Sequence, residues 1–381
     1  MKRRKSVKDG FLRLPDDLLE EVFFRLPPDE PAYLVYVSAV RKNWRRILAD
    51  TGFRRRYREF HATPPVLGLF QEDTRFVRTS SLLPVLRDYR PRWVFAPVVL
   101  DCRHGRALFT NYRRYLSVFN PLTGHKPRVP FPDNDVRSFS AAVLCAAQGC
   151  DHDGCQRGHF RVATVTTDQD RRVTKGWLYS SENRTWSDLT SVHHPNVTNY
   201  AFNKHEPSVL VGDALYFNTH GVIKCNLGTL CLSLYPKPTD AKGRLMTAEH
   251  DGLGFAAVVD DTNLTLWSME TGLEGAMGWA KLRVIGIGML LPDSALSNPT
   301  PEYTISGVVE NTQVIFISMW YFYQSPDCYM VDLKSGRVKK VSFPGTKFYP
   351  YMRFYIPGIT YAHMYNPEHS FSTICRWHLA A

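Results

Sequence analysis

The sequence predicts a small all-α head followed by an all-β domain, a β-propeller of about six blades. Apolar residues recur at three- and four-residue spacing only between residues 14 and 60, which is the period of amphipathic helices. From residue 66 onward, short runs rich in Val, Ile, Tyr, Phe and Trp alternate with Gly, Pro, Asn and Asp, as strands and turns do. A short motif repeats through this second part. The repetition favours a propeller over a β-sandwich, which would not need it.

The composition is that of a folded protein with a basic N-terminal part. The chain has 381 residues, of which 44% are hydrophobic, and a net charge of +11. We expect a basic tail at 1–12, a helical domain at 13–62 and a β domain at 63–381. Between Arg41 and Arg58, eight Lys or Arg accompany a single acidic residue. This stretch suits an acidic protein as well as nucleic acid, and charge does not distinguish them.

The cysteines and the N-terminus bear on localisation. The chain has eight Cys, and no apolar run follows the basic residues Lys2–Lys5. We therefore expect a reducing compartment, the cytoplasm and/or the nucleus, rather than secretion. No segment approaches the roughly 20 apolar residues of a membrane span, so no membrane contact is expected.

Two helices and a third short one are predicted in the head. Pro15 and the two acidic residues after it suit the first turn of a helix, and Pro27 ends the apolar stripe that follows. A second amphipathic helix is predicted from Leu34 to Leu48, and a short third one from Phe53 to Phe60. A head of this size does not bury so much apolar surface alone, so part of it should meet a partner or the next domain.

Several short motifs lie together between Leu14 and Leu48. The stretch opens on Leu-Pro-x-Asp-Leu-Leu and closes on Lys-Asn-Trp-Arg-Arg-Ile-Leu, with Val22-Phe23, Leu26-Pro27, Leu34-Val35 and Ser38-Ala39-Val40 between them. In these residues the chain resembles an F-box. The fold of that family is a three-helix unit that docks on the Skp1-type adaptor of a cullin-RING ubiquitin ligase. One departure is Arg41, where the family often has Cys; since an Arg stem can lie across apolar surface, we expect weakened but retained docking.

The resemblance implies a function for both parts of the chain. An F-box followed by such a β domain is similar to the large plant F-box families, especially those of grasses, in which the β domain binds the substrate. The chain would then be the substrate-recognition subunit of an Skp1–cullin–F-box (SCF) ubiquitin ligase, non-catalytic and without a cofactor. The residues implied in Skp1 binding are Leu14, Pro15, Leu18, Leu19, Val22, Phe23, Leu26, Pro27, Leu34, Val35, Val40 and Trp44.

Two alternatives stay open at the level of sequence. One is a nucleic-acid-binding protein that uses the basic stretch 41–58, although few stacking aromatics lie beside it. The other is an F-box scaffold outside any ligase. An enzyme is not expected, because the chain has no serine-hydrolase elbow, metalloprotease motif or nucleotide-binding glycine loop.

The β domain is predicted to begin after the linker His61–Pro65. In each copy of its repeat, an apolar or aromatic strand enters a turn, and a second strand leaves it. The copies end at positions 124, 184, 228, 272 and 336, with Arg184 in the place of Gly, and their separations are 60, 44, 44 and 64 residues. The short separations fit a four-stranded blade of roughly 40–50 residues. With strands at Val66–Phe70 and Thr373–Leu379, the five copies predict about six blades and a ring closed by its two ends.

One cluster in the β domain is typical of a metal site: Cys145, Cys150, His152, Cys155 and His159. Thiolate and imidazole ligands suit Zn²⁺, and four of these five would close a tetrahedral site. The spacing is not that of a zinc knuckle, however, and Cys145 ends an apolar run in which Cys is usually a small core residue. We therefore interpret the segment as a long hairpin loop and assign no metal, with zinc as the alternative.

A dense aromatic run near the C-terminus is a candidate substrate-binding patch. Within it Tyr349, Tyr351, Arg353 and Tyr355 alternate with other residues, so this set is expected to face outward. Tyr and Arg at the rim of a propeller are residue types that form binding hot spots.

Overall fold

The structure, a computed structural model, describes residues 14–72, 74–79, 97–111, 115–132, 139–147, 150, 152, 155, 158–168, 171–193, 206–272, 276–292, 302–320, 327–341 and 347–357. These residues form two compact units. The first contains the described residues 14–65 and 353–357, and the second contains those from 66 to 352. No helix in the described residues is long and apolar enough to cross a membrane.

Four of the described helices form the first unit. They are α1 (Asp16–Phe24), α2 (Ala32–Val40), α3 (Lys42–Ala49) and α4 (Thr51–His61). Pro15 precedes α1, and its carbonyl accepts a hydrogen bond from Leu19 N at 3.1 Å. The Asp50 side chain caps α4 by accepting from Phe53 N at 2.8 Å, which satisfies one of the free N–H groups at that helix end.

The single second helix predicted over 34–48 is wrong, because the chain breaks at Arg41. This residue is extended, with φ −146° and ψ 148°. Its carbonyl accepts from Arg45 N at 3.1 Å, so it ends α2 and begins α3. An apolar period of three or four residues continues across such a break and does not reveal it.

A small apolar core holds the first unit together. It consists of Leu19, Phe23, Leu34, Ile47, Leu48, Phe53 and Tyr57, with Phe354 and Ile356 from the C-terminal segment. Each such burial contributes about 1.5–3 kcal/mol relative to an exposed side chain. The ring centroids of Tyr57 and Phe354 lie 6.2 Å apart, so residues distant in the sequence complete the helical core.

The second unit is a six-bladed β-propeller built from antiparallel strands. In chain order the described strands are β1 (Val66–Gln71), β2 (Phe76–Arg78), β3 (Val98–Arg103), β4 (Arg106–Asn111), β5 (Tyr115–Phe119), β6 (Arg128–Val129), β7 (Phe139–Cys145), β8 (Phe160–Asp168), β9 (Val173–Ser180), β10 (Thr185–Asp188), β11 (Val192–His193), β12 (Val209–Val211), β13 (Ala214–Asn218), β14 (Val222–Asn226), β15 (Cys231–Tyr235), β16 (Gly243–Thr247), β17 (Leu253–Val259), β18 (Asn263–Thr271), β19 (Met277–Gly286), β20 (Glu302–Val308), β21 (Val314–Trp320), β22 (Asp327–Asp332), β23 (Val338–Val341) and β24 (Phe348–Met352). A short helix, α5 (Ile287–Leu290), follows β19.

The blades follow the chain in order. Blade 1 is β3–β6, blade 2 is β7–β11, blade 3 is β12–β15, blade 4 is β16–β19 and blade 5 is β20–β23. Blade 6 has the strand order β2–β1–β24. Since β1 pairs with β24, the two ends of the domain close the ring. The predicted first strand is confirmed, whereas Thr373–Leu379 lies outside the described residues.

The repeat seen in the sequence marks one turn of each blade. Its five end positions lie in the connections between the last strands of blades 1 to 5, for example β5–β6 and β22–β23. Gly124 and Gly336 have φ of 72° and 70°, a left-handed conformation that favours Gly. Arg184 adopts φ 58° at the matching place in blade 2.

Neighbouring blades share apolar cores because side chains alternate along each strand. In β7, Ala141 and Val143 pack in a cluster with blade 1, whereas Ala142 and Leu144 pack in a cluster with blade 3. Similar clusters join blade 3 to 4, 4 to 5 and 5 to 6. Strand β7 is therefore covered on both faces.

Candidate functional site

Helices α1 and α2 expose apolar side chains. Those most exposed are Leu18 (51%), Tyr33 (49%), Tyr36 (40%) and Val40 (56%). The three on α2 are separated by three and four residues, so they share one helical face. Leu34 and Val37 of α2 pack into the core of the first unit. The helical unit thus completes its own core and still presents apolar surface.

The twelve residues predicted to contact an adaptor divide by burial. Leu18, Val40, Pro15 and Pro27 are exposed. Five more are half-buried: Leu14, Val22, Leu26, Val35 and Trp44. The remaining three, Leu19, Phe23 and Leu34, are at most 2% exposed, so the prediction is corrected for them: they fill the core and present no surface.

Trp44 has a packing role of its own. Its ring lies edge-on to Phe23, with centroids 5.7 Å apart, so a substitution there changes the core of the unit. Sequence reasoning missed Tyr33 and Tyr36, although their spacing to Val40 carried the signal. The apolar stripe followed in the sequence ran through Leu34, which lies on the buried side.

The basic stretch 41–58 is partly neutralised within the same unit. Arg46 pairs with Asp16 at 2.7 Å, Arg56 pairs with Glu20, and Arg55 lies 3.6 Å from Glu59. These carboxylates belong to α1 and α4. A surface with paired charges attracts phosphates less than the sequence count suggests, which weakens the nucleic-acid alternative.

In the propeller, four of the five candidate metal ligands come together. The ligand atoms of Cys145, Cys150, His152 and Cys155 all lie within 4.8 Å of one another. His152 Nδ1 is 3.6 Å from Cys155 Sγ. His159 is exposed at the start of β8 and is not part of the group. The segment connects the antiparallel strands β7 and β8, as the hairpin interpretation predicts, and it also brings these four candidate ligands together.

The surroundings of this cluster are polar and specific. Arg106 Nη1 lies 4.0 Å from Cys155 Sγ, and Arg106 Nη2 donates to the carbonyls of Cys155 and Gly158. The ring of His104 stacks on that of His152, with centroids 3.7 Å apart and planes at 13°. His104 Nδ1 accepts from Cys145 N at 3.2 Å. Burial lowers the pKa of His104, so its ring is neutral.

A buried ion network joins several blades. Arg103, at the end of β3, pairs with Asp101 at 3.1 Å and with Glu310 at 2.7 Å. It also donates to the carbonyl of Ser208 at 2.8 Å, and Asp101 accepts from Val143 N at 2.9 Å. Blades 1, 2, 3 and 5 meet here, beside a small cavity. Burial raises the pKa of Asp101 to about 6.

The expectation that Tyr349, Tyr351, Arg353 and Tyr355 face outward is wrong, because all four are buried. Strand β24 lies between β20 of blade 5 and β3 of blade 1, so both of its faces are covered. Tyr351 packs against Phe76, with ring centroids 5.9 Å apart. Arg353 and Tyr355 follow β24 in the segment that joins the helical unit. Alternation in a strand predicts an outward face only where one side meets solvent.

Comparison with known proteins identifies the helical part. The family model of the F-box domain matches residues 11–56, so the chain contains an F-box domain there. No curated protein matches the chain.

Several solved structures match the chain at low identity. TolB from Acinetobacter baumannii is 13% identical with a TM-score of 0.38, covering 65% of this chain and 52% of TolB. The SapL1 lectin in complex with alpha methyl fucoside is 11% identical with a TM-score of 0.35, covering 68% of this chain and 82% of the lectin. YCF48 bound to D1 peptide is 5% identical with a TM-score of 0.38, covering 72% and 77%. The chain spans about half the length of TolB, and at these TM-scores the likenesses carry no inference about function.

Proposed function

We propose that the protein is a substrate-recognition subunit of an Skp1–cullin–F-box ubiquitin ligase. The observation that carries the proposal is the F-box domain at residues 11–56 with an apolar face left exposed on α1 and α2. F-box domains generally bind Skp1-type adaptors, and the propeller that follows would hold the target.

The exposed residues are of the kinds that dominate protein interfaces. Tyr33 and Tyr36 offer large aromatic surfaces, and Leu18 and Val40 extend the apolar area. Aromatic residues are enriched at hot spots because they bury much surface while losing little rotational freedom. The core of the helical unit is filled without them. Docking on an adaptor therefore removes apolar area from water without unfolding the head.

The proposed contribution to catalysis is proximity. The chain would bind the target on the propeller, and the docked ligase would bring the ubiquitin-carrying enzyme. Because both are then held in one complex, the transfer of ubiquitin no longer depends on a collision between free proteins. The target itself is a protein whose identity depends on the loops of the blades. We propose the cytoplasm and/or the nucleus as the site of action.

The test is target ubiquitination in cells. Tagged full-length chain and a Leu18→Asp variant are captured with the proteasome blocked, and the bound proteins and their ubiquitin are quantified. Asp suits the first turn of α1, so the helix is retained. Both chains are expected to capture the same targets, but only the unmodified chain enriches ubiquitin on them. Equal ubiquitin on both would overturn the proposal, and adaptor binding without ubiquitin on any captured protein would indicate a scaffold instead.

A matched control is available in the propeller. Val284 in β19 is 56% exposed, so Val284→Asp makes the same kind of change at a distant apolar surface position. This variant is expected to behave like the unmodified chain. If it also abolishes ubiquitination, the effect of Leu18→Asp is not specific to the F-box domain.

A further inference from the structure

The Cys/His cluster at the end of β7 has no part in the proposed function. We propose that Cys145, Cys150, His152 and Cys155 bind a zinc ion. Three thiolates and one imidazole form a Cys₃His set, one of the ligand sets that structural zinc sites use. The sequence separates these residues by up to ten positions, and the chain folds back to bring their ligand atoms within 4.8 Å of one another.

One distance between two ligand atoms matches the edge of a tetrahedral zinc site. For a Zn–S distance of about 2.3 Å and a Zn–N distance of about 2.0 Å, two ligand atoms of a tetrahedral site lie about 3.5–3.8 Å apart. The separation of His152 Nδ1 and Cys155 Sγ is 3.6 Å, which is such an edge. Cys145 is buried and the other three ligands are half-buried, so the site is closed on one side by the blade. Four protein ligands leave no open position, which is typical of a structural rather than a catalytic ion.

The side chains that contact the proposed ligands, Arg106 and His104, support the same assignment. Three thiolates and Zn²⁺ carry a net charge of −1, and the guanidinium of Arg106 lies 4.0 Å from Cys155 Sγ, where it offsets that charge. The ring of His104 stacks on that of His152 and fixes the plane of the ligand ring. Outer partners of this kind orient metal ligands. Since the Nδ1 atom of His104 accepts from Cys145 N, that atom is occupied and does not compete for the ion.

The ion would close the loop of the β7–β8 hairpin in blade 2, and two of its ligands, His152 and Cys155, contact His104 and Arg106 of blade 1. Cys145 ends β7, and the other three ligands lie before β8. In blade 1, His104 lies in the turn between β3 and β4, and Arg106 is the first residue of β4. Arg106 also holds the carbonyl of Gly158 at 3.0 Å. The ion would then fix the positions of Cys150, His152 and Cys155 relative to the end of β7.

The first test measures zinc in the purified full chain. Elemental analysis is expected to find one zinc per chain, and Cys150→Ser and Cys155→Ser to lower the content at least tenfold. Cys231→Ser, at an exposed thiol in β15, and His159→Ala are the matched controls and are expected to retain the ion. Absence of zinc from the unmodified chain, or full occupancy in the Cys150→Ser and Cys155→Ser variants, would overturn the proposal.

A second test needs no variant and separates zinc from a disulfide. The eight thiols of the unmodified chain are titrated in the native state before and after a zinc chelator is added. Zinc binding predicts that the chelator exposes three further reactive thiols and releases one zinc. A disulfide within the cluster predicts no effect of the chelator and six thiols after denaturation without reductant, eight minus two, and would overturn the proposal.

Discussion

Arg103 and Glu310, 207 positions apart in the chain, form a partly buried ion pair in which Arg103 Nε lies 2.7 and 2.9 Å from the two carboxylate oxygens. Arg103 belongs to blade 1, and Glu310 follows β20 of blade 5. The same guanidinium reaches Ser208 at the start of blade 3. One side chain thus holds three blades of the ring in register.

Removal of Glu310 is expected to destabilise the propeller. Glu310→Ala leaves Arg103 buried with one carboxylate partner instead of two, so we expect a loss of about 2–4 kcal/mol in the free energy of unfolding. Urea denaturation measures it. Glu249→Ala is the control, because it removes an ion pair of similar length, 3.0 Å to Arg283, that is exposed. That variant is expected to lose at most about 1 kcal/mol, and equal losses in both would contradict the role of Arg103 and Glu310.

Asp101 is expected to make stability depend on pH. Burial raises its pKa to about 6, although Arg103 and the bond from Val143 N lower it. Glu310 and the Cys102 thiol are the other titratable groups that face it. Since an Asp in the unfolded chain titrates near about pH 4, the stability that the neutral carboxyl provides is fully present below about pH 4 and is lost as the pH rises through about 6.

The measurement compares the unmodified chain with Asp101→Asn. Unfolding free energies are determined between pH 4 and 8, and the difference between the two chains removes the contribution of other groups. Relative to Asp101→Asn, the unmodified chain is expected to lose about 1–3 kcal/mol on going from the acidic to the neutral end. A difference that does not vary with pH would contradict the raised pKa of Asp101.

Tyr351 is expected to act as a core residue. It is fully buried in β24 beside Phe70 and Phe76, so Tyr351→Ala should cost about 3–5 kcal/mol in the free energy of unfolding. Tyr36→Ala, at an exposed tyrosine of α2, is the matched control and should cost about 1 kcal/mol or less. Calorimetric unfolding distinguishes them. Equal, small effects would instead favour the outward-facing position that the sequence suggested for Tyr351.

The helical head and the bladed β domain could be predicted because both follow from local patterns in the sequence. The repeat positions Gly124 and Gly336 adopt a left-handed turn that Gly favours, and Arg184 adopts it at the matching place in blade 2, so the turn leaves a signal in the sequence. The covering of β24 could not be predicted, because it depends on which strands of distant blades lie beside it. The alternation of side chains along a strand shows which residues share a face, but whether that face is buried depends on the tertiary arrangement.

The sites were predictable to different degrees. The motifs from Leu14 to Leu48 located the F-box domain, but Tyr33 and Tyr36 were missed because the apolar stripe followed in the sequence ran through Leu34, which is buried. The Cys/His cluster was visible as residue types. Its assembly depends on a loop that returns Cys150 and Cys155 to the end of β7, and spacing along the chain does not determine such a path.

The most direct test of the central claim is the affinity of the full chain for a Skp1-type adaptor, measured by titration calorimetry. The unmodified chain and Val284→Asp are expected to bind alike, whereas Leu18→Asp and Tyr36→Asp should each bind about 100-fold more weakly, since each places a charge in the apolar contact. Circular dichroism should show that all four remain folded. Failure of the folded unmodified chain to bind, or equal affinity in all four chains, would contradict the exposed face of α1 and α2 as the docking surface.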